Sequence, residues 1–144
     1  MAERLFADHK YPAAVEEFQK IIESNPRSAL AQQAMFRVAT LQSLYLEKYP
    51  EAVKNFRQFS ILSQNEELVF QSEKSIGEIL FSKMEDHKQA ADQYKKLYEK
   101  YPKAPERDFF LLRIARSYYD ALDFEQAIAT YRKFLKEYSK SPLA

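Results

Sequence analysis

The 144-residue chain has no cysteine, no tryptophan and a single glycine. Without cysteine there can be no disulfide, no thiolate-held zinc and no thiol nucleophile, and neither cytosol nor periplasm is excluded. One glycine leaves few residues suited to positive φ. Turns of that kind are therefore expected to be rare, which argues against a β-rich fold built on glycine hairpins. No charge of one sign dominates: 22 basic and 21 acidic residues leave a net charge of +1. A nucleic-acid binder ordinarily shows a basic excess on one face, so no nucleic-acid partner is expected. No long apolar run is present either. The longest, "FFLL" at 109–112, is far too short for a membrane span, so direct membrane insertion is not expected. The start, "MAERLFADHK", has no apolar signal-peptide core. The HExxH, GxSxG, phosphate-loop and GxGxxG patterns are all missing.

What is there suits a soluble globular chain. Hydrophobic residues make up 46% and charged residues 30%, in a length sufficient for one domain with a substantial core. The tripeptide Lys-Tyr-Pro recurs at 10–12, 48–50 and 100–102. It is a weak signal beside a stronger one, a spacing of 3, 4, 3 and 5 found four times. The sets are Tyr11, Ala14, Phe18, Ile21, Pro26; Tyr49, Ala52, Phe56, Phe59, Gln64; His87, Ala90, Tyr94, Leu97, Pro102; and Phe124, Ala127, Tyr131, Phe134, Ser139. Their alanines lie 38, 38 and 37 residues apart. A 3-4-3 spacing places four residues on one helical stripe. Tyr-Pro at 11–12 and 49–50 is expected to begin a helix, where proline forfeits no hydrogen bond. At 101–102 it is expected to end one, because the residue before proline is pushed out of αR.

Between these stripes lie three more apolar-periodic segments, 28–46, 66–84 and 105–121. Each carries an aliphatic-small step: Val38-Ala39, Ile76-Gly77 and Ile114-Ala115. The lone glycine thus falls mid-helix, at about 1 kcal/mol of helix propensity, which suits close approach of a neighbouring backbone. Small residues facing each other let two helices approach to the near end of the roughly 8–10 Å interaxial range. The unit is a helical hairpin of about 38 residues, helix A then helix B, that cannot bury its stripes alone. The expected fold is all-α, a right-handed superhelical solenoid of antiparallel hairpins. It forms one domain over 1–144, with a partial repeat at 1–26, full repeats at 27–64, 65–102 and 103–139, and the start of another at 140–144. A helical stub is expected at 2–8. The ends align with mid-hairpin positions, as though cut from a longer array.

These residues resemble the tetratricopeptide repeat family, whose helix A carries an aliphatic-small step and whose helix B carries an Ala…aromatic…proline series. Ile76-Gly77 with Ala90, Tyr94 and Pro102 fill those roles. The period of 37–38, and Ile21, Phe59, Leu97 and Phe134 in helix B, are similar to the repeats of bacterial envelope proteins. The resemblance implies a non-enzymatic protein–protein interaction scaffold without cofactor, and favours periplasm or cell envelope over cytoplasm. A helical-repeat RNA-binding module and a cytoplasmic adaptor are the alternatives.

The chemistry available is mostly that of turns. "DHK" occurs at 8–10 and 86–88, but the copies fall two hairpins apart. They are expected to serve as polar turns and N-caps rather than metal ligands. The family resemblance implies a concave groove lined by helix A. The positions flanking the small residues are Gln33, Phe36, Thr40 and Ser43; Gln71, Lys74, Glu78 and Phe81; and Phe109, Leu112, Arg116 and Tyr119. The candidate set for partner binding is Phe36, Thr40, Lys74, Glu78, Phe81, Phe109, Leu112, Arg116 and Tyr119, all expected on the face away from helix B. An apolar or amphipathic protein or peptide segment would suit it, with a carboxylate for Arg116; the alternative is that Phe109, Leu112 and Tyr119 pack against a next hairpin. Self-association through an exposed end, near Phe109, Leu112 and Phe134, is expected as well.

Overall fold

The computed structural model describes residues 10–144. The expected stub at 2–8 and the first "DHK" histidine, His9, lie outside them. Seven α-helices and no strand occur among the described residues: α1 Tyr11–Ser24, α2 Ala29–Leu44, α3 Tyr49–Leu62, α4 Glu66–Glu78, α5 His87–Lys100, α6 Arg107–Asp120 and α7 Phe124–Glu137. The hairpin alternation is the one expected, with α1, α3, α5 and α7 in the helix-B role.

Sequence accounts for where each helix starts. Pro12 and Pro50 sit in the first turns of α1 and α3, where an amide would be unpaired anyway. Ser28, Asn65, Asp86 and Asp123 cap α2, α4, α5 and α7, each accepting from the amide three residues on at 3.0–3.3 Å. At α5 the cap is reciprocated, with Gln89 Nε2 donating to Asp86 Oδ2 at 2.8 Å. The second "DHK" is therefore cap chemistry, as expected. Tyr101 closes α5 with its N–H on the Leu97 carbonyl, just before Pro102.

The turns from helix A to helix B carry a feature the glycine count argued against. Glu47, Glu85 and Leu122 have φ of 52°, 51° and 65°. Each directly precedes an N-terminal cap residue, so the left-handed position recurs with the repeat and is filled without glycine. It lets the next amide turn back onto the ending helix, Lys48 to Gln42, Asp86 to Leu80 and Asp123 to Tyr118, each at 2.9 Å. Positive φ is thus not rare here, because closure of the turn outweighs the steric penalty of a side chain.

Packing gathers into two compact units, one ending at Ile79 and the other starting at Leu80. In the first, α1 to α4 pack in chain order. Ala14, Val15 and Phe18 of α1 bury against Ala34, Val38 and Leu41 of α2, with Tyr11, Ile21 and Ile22 alongside. The facing small residues Ala39 and Ala52 are both fully buried. Met35, Phe59 and Val69 form a second cluster. One polar pair joins this hairpin, Asn55 Nδ2 to Gln42 Oε1 at 2.9 Å, with Gln42 buried.

In the second unit, α6 packs on both α5 and α7. Ala90 and Ala127 are buried on the stripes that the alanine spacing marks, and Ala115 is buried at the aliphatic-small step of α6. Between α4 and the turn at Glu85 the helix widens into a π-helical stretch, Ile79–Lys83, which starts two residues after Gly77. Nothing in the periodicity announces it.

Candidate functional site

The second unit contains an open cleft of about 360 Å³ lined by Phe81, Phe109, Leu112, Arg113, Arg116 and Tyr131. Four of the nine candidate residues, Phe81, Phe109, Leu112 and Arg116, meet there. Phe81 comes from the π-helical turn, Phe109, Leu112, Arg113 and Arg116 from α6, and Tyr131 from α7. The spacing 109, 112, 113, 116 is one stripe of a helix.

An arginine organises the aromatic wall. The Arg113 guanidinium lies 3.9 Å from the Phe81 centroid, 4.8 Å from Phe109 and 5.9 Å from Tyr94. Cation–π attraction of this kind holds rings and cation in one arrangement. Tyr94, itself buried, meets Phe81 and Phe109 edge-on at 6.4 and 6.2 Å. Phe109 thus seats on α5, its own preceding neighbour, and does not await a following hairpin. Arg113 was missed from sequence, although a cation inside "FFLLRIA" is a signal in itself: such a charge needs rings or a carboxylate nearby.

Arg116 is exposed and already bound. Its Nε donates to Asp120 Oδ1 at 3.0 Å, and that hydrogen bond, then the Asp120 charge, raises the arginine pKa. Asp120 accepts from Nε alone, so an incoming carboxylate would meet the terminal nitrogens.

The other candidates lie elsewhere. Phe36 does not face away from helix B: it packs on Phe56 and Phe59 of α3, with centroids 5.8 and 5.2 Å away. An aromatic ring is large enough to reach back across the helix to its hairpin partner. Phe36 lines a different cleft, of about 420 Å³, in the first unit, together with Phe18, Leu30, Gln33, Arg37 and Phe59. Thr40 donates its hydroxyl to the Phe36 carbonyl at 2.8 Å. Lys74 lies 4.4 Å over the Phe70 ring. Glu78 is exposed. Tyr119 leans on Phe124 of α7 at 5.5 Å. None of these four lines either cleft.

A second polar assembly in this unit was also missed. Tyr98 near the end of α5 donates to Glu137 Oε2 at 2.9 Å. Arg107 lies 3.8 Å from its ring and Lys133 5.0 Å from it, while Arg107 Nε donates to the Tyr98 carbonyl at 3.0 Å. Burial, followed by hydrogen bonds to Tyr138 and Glu137, pushes the Tyr98 phenol well above its usual range. The site ties three helices together, with Tyr98 buried and Lys133 and Glu137 exposed.

No three His, Asp or Glu residues gather in a metal-binding arrangement among the described residues. No helix among them is long and apolar enough to cross a membrane.

Comparison with known proteins places these helices. Residues 76–104 and 110–141 match the family model described as tetratricopeptide repeat. The matched segments hold α5, α7, most of α6 and every cleft residue of the second unit except Phe109. Among solved structures, BtubC (BKLC) from P. vanneervenii is similar over 94% of this chain at 16% identity and a TM-score of 0.63. A Podosopora anserina kinesin light chain with nearly identical TPR-like repeats is similar over 97% of this chain at 14% identity and a TM-score of 0.62. The chain spans 59% of the first protein's length and 72% of the second's. At such identities the likeness establishes the all-helical repeat fold. No curated protein matches the chain in sequence.

Proposed function

We propose that the chain is a non-enzymatic protein–protein interaction scaffold that takes a partner segment into the cleft of Phe81, Phe109, Leu112, Arg113 and Arg116. The match of residues 76–104 and 110–141 to tetratricopeptide repeats supports an interaction scaffold in general. The particular site rests on one observation: Phe81 and the α6 residues Phe109, Leu112 and Arg116 meet in one open cleft whose wall is aromatic and whose rim is cationic. Such a surface fits a segment with an aliphatic or aromatic side chain for the wall and a neighbouring carboxylate for Arg116. Residues 1–144 are taken as one domain, and the family resemblance of the 37–38-residue period supports a place in a bacterial envelope assembly.

A random peptide library displayed on phage and selected on the full chain tests this. The expected binders carry Asp or Glu beside a large apolar residue. Arg116→Glu and Leu112→Glu should each weaken them by at least about tenfold, about 1.4 kcal/mol, with helicity unchanged. Peptides that bind equally well to both variants would place recognition elsewhere.

A further inference from the structure

The outer face of α7 is apolar and largely exposed, although Tyr119 of α6 leans on Phe124. Phe124, Ile128 and Leu135 are 48%, 51% and 57% exposed, and with half-buried Tyr131 they form a stripe at intervals of 4, 3 and 4. The same four positions in earlier helix-B elements are covered. In α5 they are His87, Ala91, Tyr94 and Tyr98, the last three buried, with Phe109, Phe110 and Arg107 of α6 lying on the two tyrosines. In α1 they are Tyr11, Val15, Phe18 and Ile22, packed against α2. In α3 they include buried Val53 and Phe56, with α4 packed on the helix. What covers this stripe elsewhere in the molecule is always a helix. Phe134, expected at the exposed end, is instead buried.

We infer that α7 of a second copy covers the stripe, with the two helices antiparallel about a two-fold axis. The spacing 4, 3, 4 reads the same in both directions. An antiparallel copy therefore sets Phe124 against Leu135, and Ile128 against Tyr131, on both sides of the axis. Charge follows the same symmetry. Glu125, Arg132 and Lys136, all exposed, follow the stripe on one flank at helical spacing. Antiparallel pairing brings Glu125 of one copy level with Arg132 and Lys136 of the other, twice per dimer, whereas a two-fold parallel pair sets these flanks on opposite sides of the seam, where they do not meet. The interface is isologous, so the assembly closes at two copies. Four side chains a side make a small contact, so association is weak and concentration-dependent.

Sedimentation of the full chain from micromolar to millimolar concentration tests this. A reversible monomer–dimer equilibrium is expected. Ile128→Glu and Leu135→Glu should each weaken it at least tenfold, with melting temperature unchanged because both positions are exposed. Glu125→Lys should weaken the dimer, and adding Lys136→Glu should restore it. Since the chain has no cysteine, orientation can be read by oxidative cross-linking. The double variant Phe124→Cys with Leu135→Cys should form a disulfide-linked dimer efficiently, and Phe124→Cys alone should not. A monomer throughout, a dimer indifferent to Ile128→Glu and Leu135→Glu, or efficient cross-linking by Phe124→Cys alone would overturn the inference.

Discussion

The left-handed residues before α3, α5 and α7 carry a penalty that glycine would remove. For a residue with a Cβ that conformation costs about 1–2 kcal/mol, while glycine returns part of the gain as unfolded-state entropy. Glu85→Gly is therefore expected to be neutral or to stabilise by up to about 1 kcal/mol. Lys95→Gly, at an exposed position inside α5, should destabilise by about 1 kcal/mol. Urea denaturation of the two variants compares them, and equal losses would mean that the turn carries no strain. Tyr98 makes a different prediction. Its phenol is held protonated in the folded chain, above the ordinary value of 10.0. A raised folded-state pKa contributes stability that is present below the unfolded value and lost as pH rises past it. Tyr98→Phe should lose about 0.5–1.5 kcal/mol at neutral pH. Its melting temperature should then fall less steeply above pH 10 than that of the unsubstituted chain. Parallel alkaline profiles would detach Tyr98 from that loss.

At the level of the elements, the stripe of helix B is set by alanine. Ala127 is buried, and its repeat-mate Ala115 is buried on the facing helix. Ala127→Leu should overpack α6 against α7 and lose about 1–3 kcal/mol, whereas Lys95→Leu on the outer face of α5 should change little. Thermal melts ranking them the other way would put the stripe on the wrong face. The same regularity made the elements legible. Ala14, Ala52, Ala90 and Ala127 could be placed in the core from spacing alone because a buried stripe must repeat with the helix. The cap at Asp86 followed from the polar "DHK" turn, whereas that at Asp123 was not read from sequence. The widening at Ile79–Lys83 was not legible, since nothing in the apolar periodicity changes there. The cleft was half legible: the helix stripe gave Phe109, Leu112 and Arg116. A face assignment by angle cannot see a long side chain bend back, which is why Phe36 ends on Phe56 and Phe59. Nor can it say which cation settles on which ring, as Arg113 does on Phe81.

On the scale of the whole molecule, stability is local. Within each unit a helix packs chiefly on its neighbours in the chain, so repeat and interface contributions add roughly along the sequence. A core deletion at one place should therefore loosen its surroundings first. Phe134→Ala removes a fully buried ring from α7 and should lose about 3–5 kcal/mol there. Native-state hydrogen exchange is expected to quicken in α6 and α7 by a larger factor than in α1 to α3. Uniform acceleration through all seven helices would show one cooperative block instead.

The three left-handed turns also bear on how this sequence can vary. Every glutamate codon becomes a glycine codon by one change at its middle base, whereas no leucine codon does so in a single step. Glu47 and Glu85 are thus one mutation from the residue their backbone favours, and Leu122 is two. Error-prone mutagenesis followed by selection for heat resistance should return glycine at 47 and 85 early and at 122 hardly ever, although the backbone asks for it equally at all three.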